Sequence, residues 1–109
     1  MSTSAPQVSA DEVKKSIDSQ ESIVLLDVRT PGEFSRGKIA GSINLPVGDV
    51  LSKVESVISN KNQKVYVYCL SGSRSDIAVQ QMVQLGYTNA FSMTQGLLAW
   101  RSKQYPVSL

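Results

Sequence analysis

Along the chain, short continuous apolar runs alternate with segments whose apolar residues have helical spacing. This pattern predicts strands separated by helices. Short apolar runs at 23–27, 65–69 and 90–93 are typical of strands that are buried on both faces. A shorter strand is predicted at 43–45, ended by Pro46. Because strands that alternate with helices are joined by crossover connections, the pattern predicts an α/β fold with a central, mainly parallel sheet and helices on both faces.

Helix signals lie between the predicted strands. Ser9 and Glu12 have the spacing of a capping box, which predicts a helix to about Ile17. Thr30, followed by Pro31 and Glu33 at capping positions, predicts a brief helical turn directly after the first strand.

Two apolar stripes with helical spacing predict longer helices that pack on the sheet. The first stripe comprises Val50, Leu51, Val54, Val57 and Ile58, and the second comprises Ile77, Ala78, Gln81, Met82 and Leu85. Gly86 is a plausible stop for the second helix, and 96–100 predicts a short closing helix.

Length and composition predict one folded domain. The chain has 109 residues, of which 41% are hydrophobic, and we assign 1–7 to a flexible segment and 8–109 to the domain. The net charge of +2 is spread among mixed signs, so nucleic acid is not expected as a partner. No apolar run approaches the roughly 18 residues of a membrane span, so no membrane association is expected. A cytoplasmic location is expected, or a periplasmic or organellar one if a leader has been removed.

The absence of histidine and the single Cys69 restrict the possible chemistry. Ser-His-Asp and Cys-His nucleophiles and histidine zinc sites are excluded because each needs an imidazole. A lone thiol also forms no intramolecular disulfide and no CxxC pair. We therefore expect no metal and no cofactor, and any chemistry of Cys69 is that of a single thiol.

Cys69 ends a predicted strand and precedes a loop and a helix, at the edge of the sheet where ligands bind in such folds. Gly72 allows a tight turn in this loop, so that backbone N–H groups converge and the helix adds its positive end. These dipoles, together with Arg74, favour a thiolate over a thiol, and a thiolate is a nucleophile. A lone cysteine without these neighbours is more often a small buried hydrophobe.

A second polar cluster follows the first predicted strand and contains Asp27, Arg29 and Glu33. If the two strands are neighbours, either Asp27 or Glu33 is placed to hold Arg74. Nearby basic side chains would then attract an anionic substrate.

Four segments in order make the sequence resemble a rhodanese-homology domain over about residues 8–107. They are 26–34 (LDVRTPGEF), 37–46 (GKIAGSINLP), 69–75 (CLSGSRS) and 96–100 (GLLAW). The resemblance implies a rhodanese-like fold and a sulfurtransferase, whose cysteine takes a sulfane sulfur from a small anionic donor such as thiosulfate. The resulting persulfide then passes its sulfur to cyanide, to a small thiol or to a protein thiol.

Carried over by position, the resemblance implies that Cys69 is the sulfur carrier and that the loop binds the persulfide. The loop residues are Leu70, Ser71, Gly72, Ser73, Arg74 and Ser75. Lys38 stands where the family often has histidine, a departure that bears on the identity of the substrate.

Two other functions stay open from the sequence. One is a sulfur carrier without turnover, or a regulatory binding module, since rhodanese-like domains also occur as such. The other is a cysteine phosphatase or arsenate reductase, which uses the same strand, loop and helix. Cys69 and Arg74 are separated by one residue fewer than in phosphatases, which disfavours this second alternative.

Overall fold

A parallel sheet lies at the centre of the molecule. The computed structural model describes residues 5–109, and within them the sheet has five strands. They are β1 (Gln7–Val8), β2 (Val24–Asp27), β3 (Ile43–Asn44), β4 (Val65–Tyr68) and β5 (Ala90–Met93), in the spatial order β1-β5-β4-β2-β3. The predicted α/β class and parallel sheet are confirmed, and β2 and β4 are neighbours as the site hypothesis requires.

Residues 5–109 contain five α-helices. They are α1 (Ala10–Asp18), α2 (Pro31–Ser35), α3 (Val50–Val57), α4 (Ser73–Gln84) and α5 (Gly96–Ser102). Side chains alternate along β4, so that Val65 and Val67 pack towards α3 and α4 whereas Tyr66 and Tyr68 pack towards α1 and α5. The apolar run of β4 is continuous because both of its faces are buried.

The predicted helix caps form at α1 and α2. The Ser9 side chain accepts the N–H of Glu12 at 3.1 Å, which is the forward half of the predicted capping box. Thr30 and Glu33 form a complete capping box at α2, with Pro31 at the first helical position. Among the described residues, the reciprocal bond, in which the Glu12 carboxylate would accept the N–H of Ser9, is not formed.

Parts of the two predicted helical stripes are wrong. Val50, Val54 and Ile58 are buried, but Leu51 is 50%, Val57 40% and Ile77 49% exposed. The buried positions of α4 are instead Ser75, Ala78, Val79 and Met82. Each helix touches the sheet over a narrower arc than its apolar residues span, so the outer members of each stripe face solvent.

The amino-terminal strand and the position of Cys69 also differ from the sequence prediction. Of the segment 1–7, residues 1–4 lie outside the described residues, Ala5 is buried and Gln7 belongs to β1. Cys69 follows β4 directly and is not its last residue. Within residues 5–109 no helix is both long and apolar enough to cross a membrane.

A buried ion pair between Asp27 and Arg29 lies at the carboxyl end of β2. The Arg29 guanidinium donates to both carboxylate oxygens of Asp27, the shortest distance being 2.7 Å, and also to the carbonyl of Gly37 at 2.6 Å. Asp27 is 0% and Arg29 4% exposed. Burial lowers the pKa of Arg29, but Asp27, together with weaker interactions with Tyr68 and Glu33, raises it by more, so the guanidinium stays charged. The pair therefore ties the segment after α2 to the end of the sheet.

Replacing Asp27 by asparagine leaves a buried, unpaired guanidinium and is expected to lower the free energy of unfolding by about 3–5 kcal/mol. Asp18→Asn removes the same charge from the exposed Lys14–Asp18 pair of α1 and is expected to cost about 0.5 kcal/mol or less. Urea unfolding of both variants measures the difference. Equal losses in the two variants contradict a structural role for the buried pair.

Candidate active site

Cys69 lies at the carboxyl edge of the sheet, where the loop 70–72 leads into α4. Its sulfur accepts the N–H of Gly72 at 3.1 Å and the N–H of Ser75 at 3.4 Å. Gly72 has φ +108°, a left-handed conformation that turns its N–H towards the sulfur. The loop and the first turn of α4 thus form a cradle of N–H groups around Sγ, as the sequence predicts for the backbone of this loop.

The cradle favours the ionised form of the thiol. Burial raises the pKa of Cys69, which is 0% exposed, but hydrogen bonds lower it by more. These bonds come from the N–H and hydroxyl of Ser75 and from the N–H groups of Gly72 and Arg74, so the pKa lies below its ordinary value. A thiolate is therefore accessible without a histidine base.

The start of α5 supports the loop from behind. The N–H groups of Leu97 and Leu98 donate to the carbonyls of Cys69 and Leu70, each at 3.0 Å. A Cβ on Gly96 would lie 2.3 Å from the Cys69 carbonyl oxygen, closer than any side chain is tolerated. Glycine at position 96 thus permits the close approach by which α5 fixes the two carbonyls at the start of the loop.

Arg74 is held by Glu33 and not by Asp27. Its guanidinium donates to the two carboxylate oxygens of Glu33 at 2.7 and 3.1 Å. Asp27 is engaged by Arg29, so of the two partners proposed from the sequence only Glu33 is used. The pKa of Glu33 is lowered to about 2, mainly by the hydrogen bond from Arg74 and further by the N–H and hydroxyl of Thr30, against the effect of partial burial.

The other loop residues differ in their surroundings. Leu70 packs on the core between the sheet and the α1–α5 layer, whereas Ser71 and Ser73 are exposed. Asp76 of α4 accepts a hydrogen bond from the Gln7 side chain at 2.9 Å. Lys38 lies over the ring of Phe34, with its ammonium 4.8 Å from the ring centre.

Sequence reasoning missed two residues beside Cys69. Ser92 of β5 is completely buried and pairs through its hydroxyl with Ser75, at 2.7 Å. Gly96 entered the prediction only as part of the closing helix. A serine within the apolar run 90–93 was the available signal for Ser92, but its neighbour is 17 residues away in the chain.

Residues 9–103 match the model of the family described as the rhodanese-like domain. The match spans most of the chain, and the chain therefore belongs to this family. The fold is the α/β rhodanese fold, and the family is one of rhodanese-like sulfurtransferases, some of whose members are named as sulfur carriers.

Similar proteins of known sequence or structure agree with this assignment. The chain is 27% identical to a protein of Allochromatium vinosum named sulfurtransferase, covering 93% of this chain and 92% of that one. It is 32% identical to Bacillus subtilis YrkF, named as a proposed sulfur carrier protein, covering 93% of this chain but only 54% of YrkF. The chain thus spans about half the length of that relative. A rhodanese-related protein of Thermoplasma volcanium superposes with a TM-score of 0.84 at 33% identity, covering 95% and 98% of the two chains.

The Glu33–Arg74 pair predicts an acid dependence of stability. Because the pKa of Glu33 is lowered from 4.5 to about 2, the pair contributes stability above pH 4.5 and loses it as the pH falls towards 2. Glu33→Gln is expected to cost about 1 kcal/mol at neutral pH, since the pair is partly exposed, and this deficit should vanish on acidification. Urea unfolding across that window measures the deficit, and Glu12→Gln serves as a control that carries no ion pair in the described chain. A deficit that does not change with pH contradicts the assignment of this stability to the Glu33–Arg74 pair.

Proposed function

We propose that the protein is a sulfurtransferase that moves a sulfane sulfur through a persulfide on Cys69. The observation that carries this proposal is the ring of N–H donors around the sulfur of Cys69, at the end of a parallel strand and the start of α4. The site residues are Cys69 as nucleophile and the loop of Leu70, Ser71, Gly72, Ser73, Arg74 and Ser75 as the cradle. Glu33 supports that loop by holding Arg74, and Asp27 with Arg29 supports the end of the neighbouring strand β2.

In the first step the Cys69 thiolate attacks the outer sulfur of thiosulfate or of a persulfide donor. A bond forms between Sγ and this sulfur, and the donor's own S–S bond breaks, so that sulfite or a thiolate leaves with the electron pair. With thiosulfate the total charge is −3 on both sides of the step, as thiolate plus dianion become persulfide anion plus sulfite. No proton has to move, which agrees with a chain that has no histidine.

The cradle stabilises the charge that the persulfide carries. The outer sulfur of a persulfide lies about 2.05 Å from Sγ, within reach of the same N–H groups. These groups are fixed before the reaction by the loop and by α4, so little reorganisation accompanies the change from thiolate to persulfide. The positive end of α4 acts in the same direction.

In the second step an acceptor takes the outer sulfur and restores the enzyme. Cyanide or a thiolate attacks the outer sulfur, the bond to Sγ breaks, and Cys69 leaves as a thiolate. The products are thiocyanate or a new persulfide on the acceptor thiol. A protein thiol is an acceptor of the same chemistry, which agrees with the sulfur-carrier name of the B. subtilis relative.

A phosphatase is less well supported by the arrangement of Arg74. A phosphatase directs its loop arginine to the phosphate, whereas both terminal nitrogens of Arg74 donate to Glu33. Asp76, the nearest acid on α4, is bonded to Gln7. Arg74 and Asp76 are therefore both bonded within the protein, and neither is directed at a bound phosphate.

Incubation of the reduced protein with thiosulfate is expected to add about 32 Da to the intact mass, and cyanide should remove the addition, because the covalent intermediate is a persulfide. Cys69→Ser should show no gain under either condition. Sulfite and thiocyanate are measured in the same samples.

A gain in the Cys69→Ser variant places the sulfur elsewhere and contradicts the mechanism. A gain that cyanide does not remove, and that only a protein thiol removes, indicates a carrier without small-molecule turnover. Absence of a gain with thiosulfate and with an organic persulfide contradicts the proposed function.

A further inference from the structure

A pair of buried serines lies behind the sulfur of Cys69. Ser75 Oγ is 3.7 Å from Sγ, 3.1 Å from the carbonyl oxygen of Gly72 and 2.7 Å from Ser92 Oγ. Cys69, Ser75 and Ser92 are each 0% exposed. The pair joins the catalytic loop to β5, so the hydroxyl nearest to the sulfur is itself held by a residue outside the loop.

Counting the protons of these hydroxyls assigns the direction of each hydrogen bond. Each serine has one proton, and Ser75 is the partner of the Ser92 hydroxyl within the described chain. A buried hydroxyl proton without an acceptor is costly, so Ser92 donates to Ser75. The proton of Ser75 is then free to point either to the Gly72 carbonyl or to Sγ.

The two directions match the two states of the sulfur. When Cys69 is a thiol, its S–H donates to Ser75 Oγ and Ser75 donates to the Gly72 carbonyl. When Cys69 is a thiolate, the Ser75 proton turns to the sulfur. The Gly72 carbonyl keeps a partner in both states, because it also accepts the N–H of Asp76 at 3.0 Å.

We propose that Ser92 is a positioning residue that holds the Ser75 hydroxyl in the orientation that donates to the Cys69 thiolate. Ser92 does not touch the sulfur and acts only through Ser75. Its importance for turnover rests on the proposed sulfur transfer, whereas its effect on the ionisation of Cys69 does not.

The charged groups that face the loop each have a partner within the protein. Arg74 of α4 is bonded to Glu33 of α2, and Asp27 of β2 is bonded to Arg29. Asp76 is bonded to Gln7 beside β1, and the first turn of α5, Gly96 to Leu98, carries no titratable side chain. The hydroxyls of Ser75 and Ser92 therefore stabilise the charge on sulfur without gaining or losing a proton.

The experiment measures the pKa of Cys69 from the ultraviolet absorbance of the thiolate, with Cys69→Ser as the blank. Ser92→Ala is expected to raise this pKa by about 0.5–1 unit, the effect of one hydrogen bond. Ser92→Thr and Ser92→Val form a matched pair of nearly equal shape, of which only threonine keeps the hydroxyl. Threonine should keep the wild-type pKa and valine should raise it, so the comparison holds even if alanine impairs folding.

A double-mutant cycle tests whether Ser92 acts through Ser75. In the Ser75→Ala background, Ser92→Ala should cause no further rise in the pKa. Ser16→Ala removes a buried hydroxyl that pairs with Tyr66 at 3.0 Å, away from the site, and should leave the pKa of Cys69 unchanged.

Three outcomes overturn the proposal: an unchanged pKa in Ser92→Val, equal shifts in the threonine and valine variants, or an additive shift in the double mutant. If the pKa shifts as expected but thiosulfate and persulfide donors leave no sulfur on Cys69, the proposed function fails while the positioning role stands.

Discussion

The close contact between the start of α5 and the Cys69 carbonyl is the constraint on which the site depends. The N–H groups of Gly72 and Ser75 face the sulfur, and the carbonyls of Cys69 and Leu70, at the start of the same loop, face α5. Those carbonyls accept the N–H groups of Leu97 and Leu98, which would otherwise lack partners at the helix start. Gly96 makes this possible because no other residue lets the two backbones approach so closely. The contact with α5 thus fixes the start of the loop whose later N–H groups donate to the sulfur.

The two arginines beside the site, Arg29 and Arg74, are each paired with a carboxylate. Arg29 is bonded to Asp27 without access to water, and Arg74 is bonded to Glu33 in a partly exposed pair. The two pairs differ in consequence, because breaking the buried pair leaves a charge that water does not reach. Stabilisation of a sulfur anion therefore falls to backbone dipoles and to the Ser75 hydroxyl, whose positions are fixed by the fold.

The elements and the nucleophile could be predicted because their signals are local. Apolar runs identify β2, β4 and β5, the capping residues identify α2, and Cys69 with Gly72 identifies the loop. The two-residue strand β1 was missed because it is too short to show a period and depends on pairing with β5 at the far end of the chain. The choice of Glu33 over Asp27 for Arg74, and the pairing of Ser92 with Ser75, are contacts between distant segments that no local pattern contains. Exposure of Leu51 and Ile77 depends likewise on the width of the contact between helix and sheet.

The complete burial of Cys69 has a consequence for how reagents reach it. A sulfur with no exposed area meets a solute only during brief openings of the structure around it. The observed rate with any reagent is then the product of the intrinsic reactivity of the thiolate and the fraction of time that the loop is open to a molecule of that size. Small linear reagents and bulky ones should therefore differ far more here than they do with a free thiol in water. Selectivity among oxidants and electrophiles is set by the dimensions of the opening as much as by chemical reactivity.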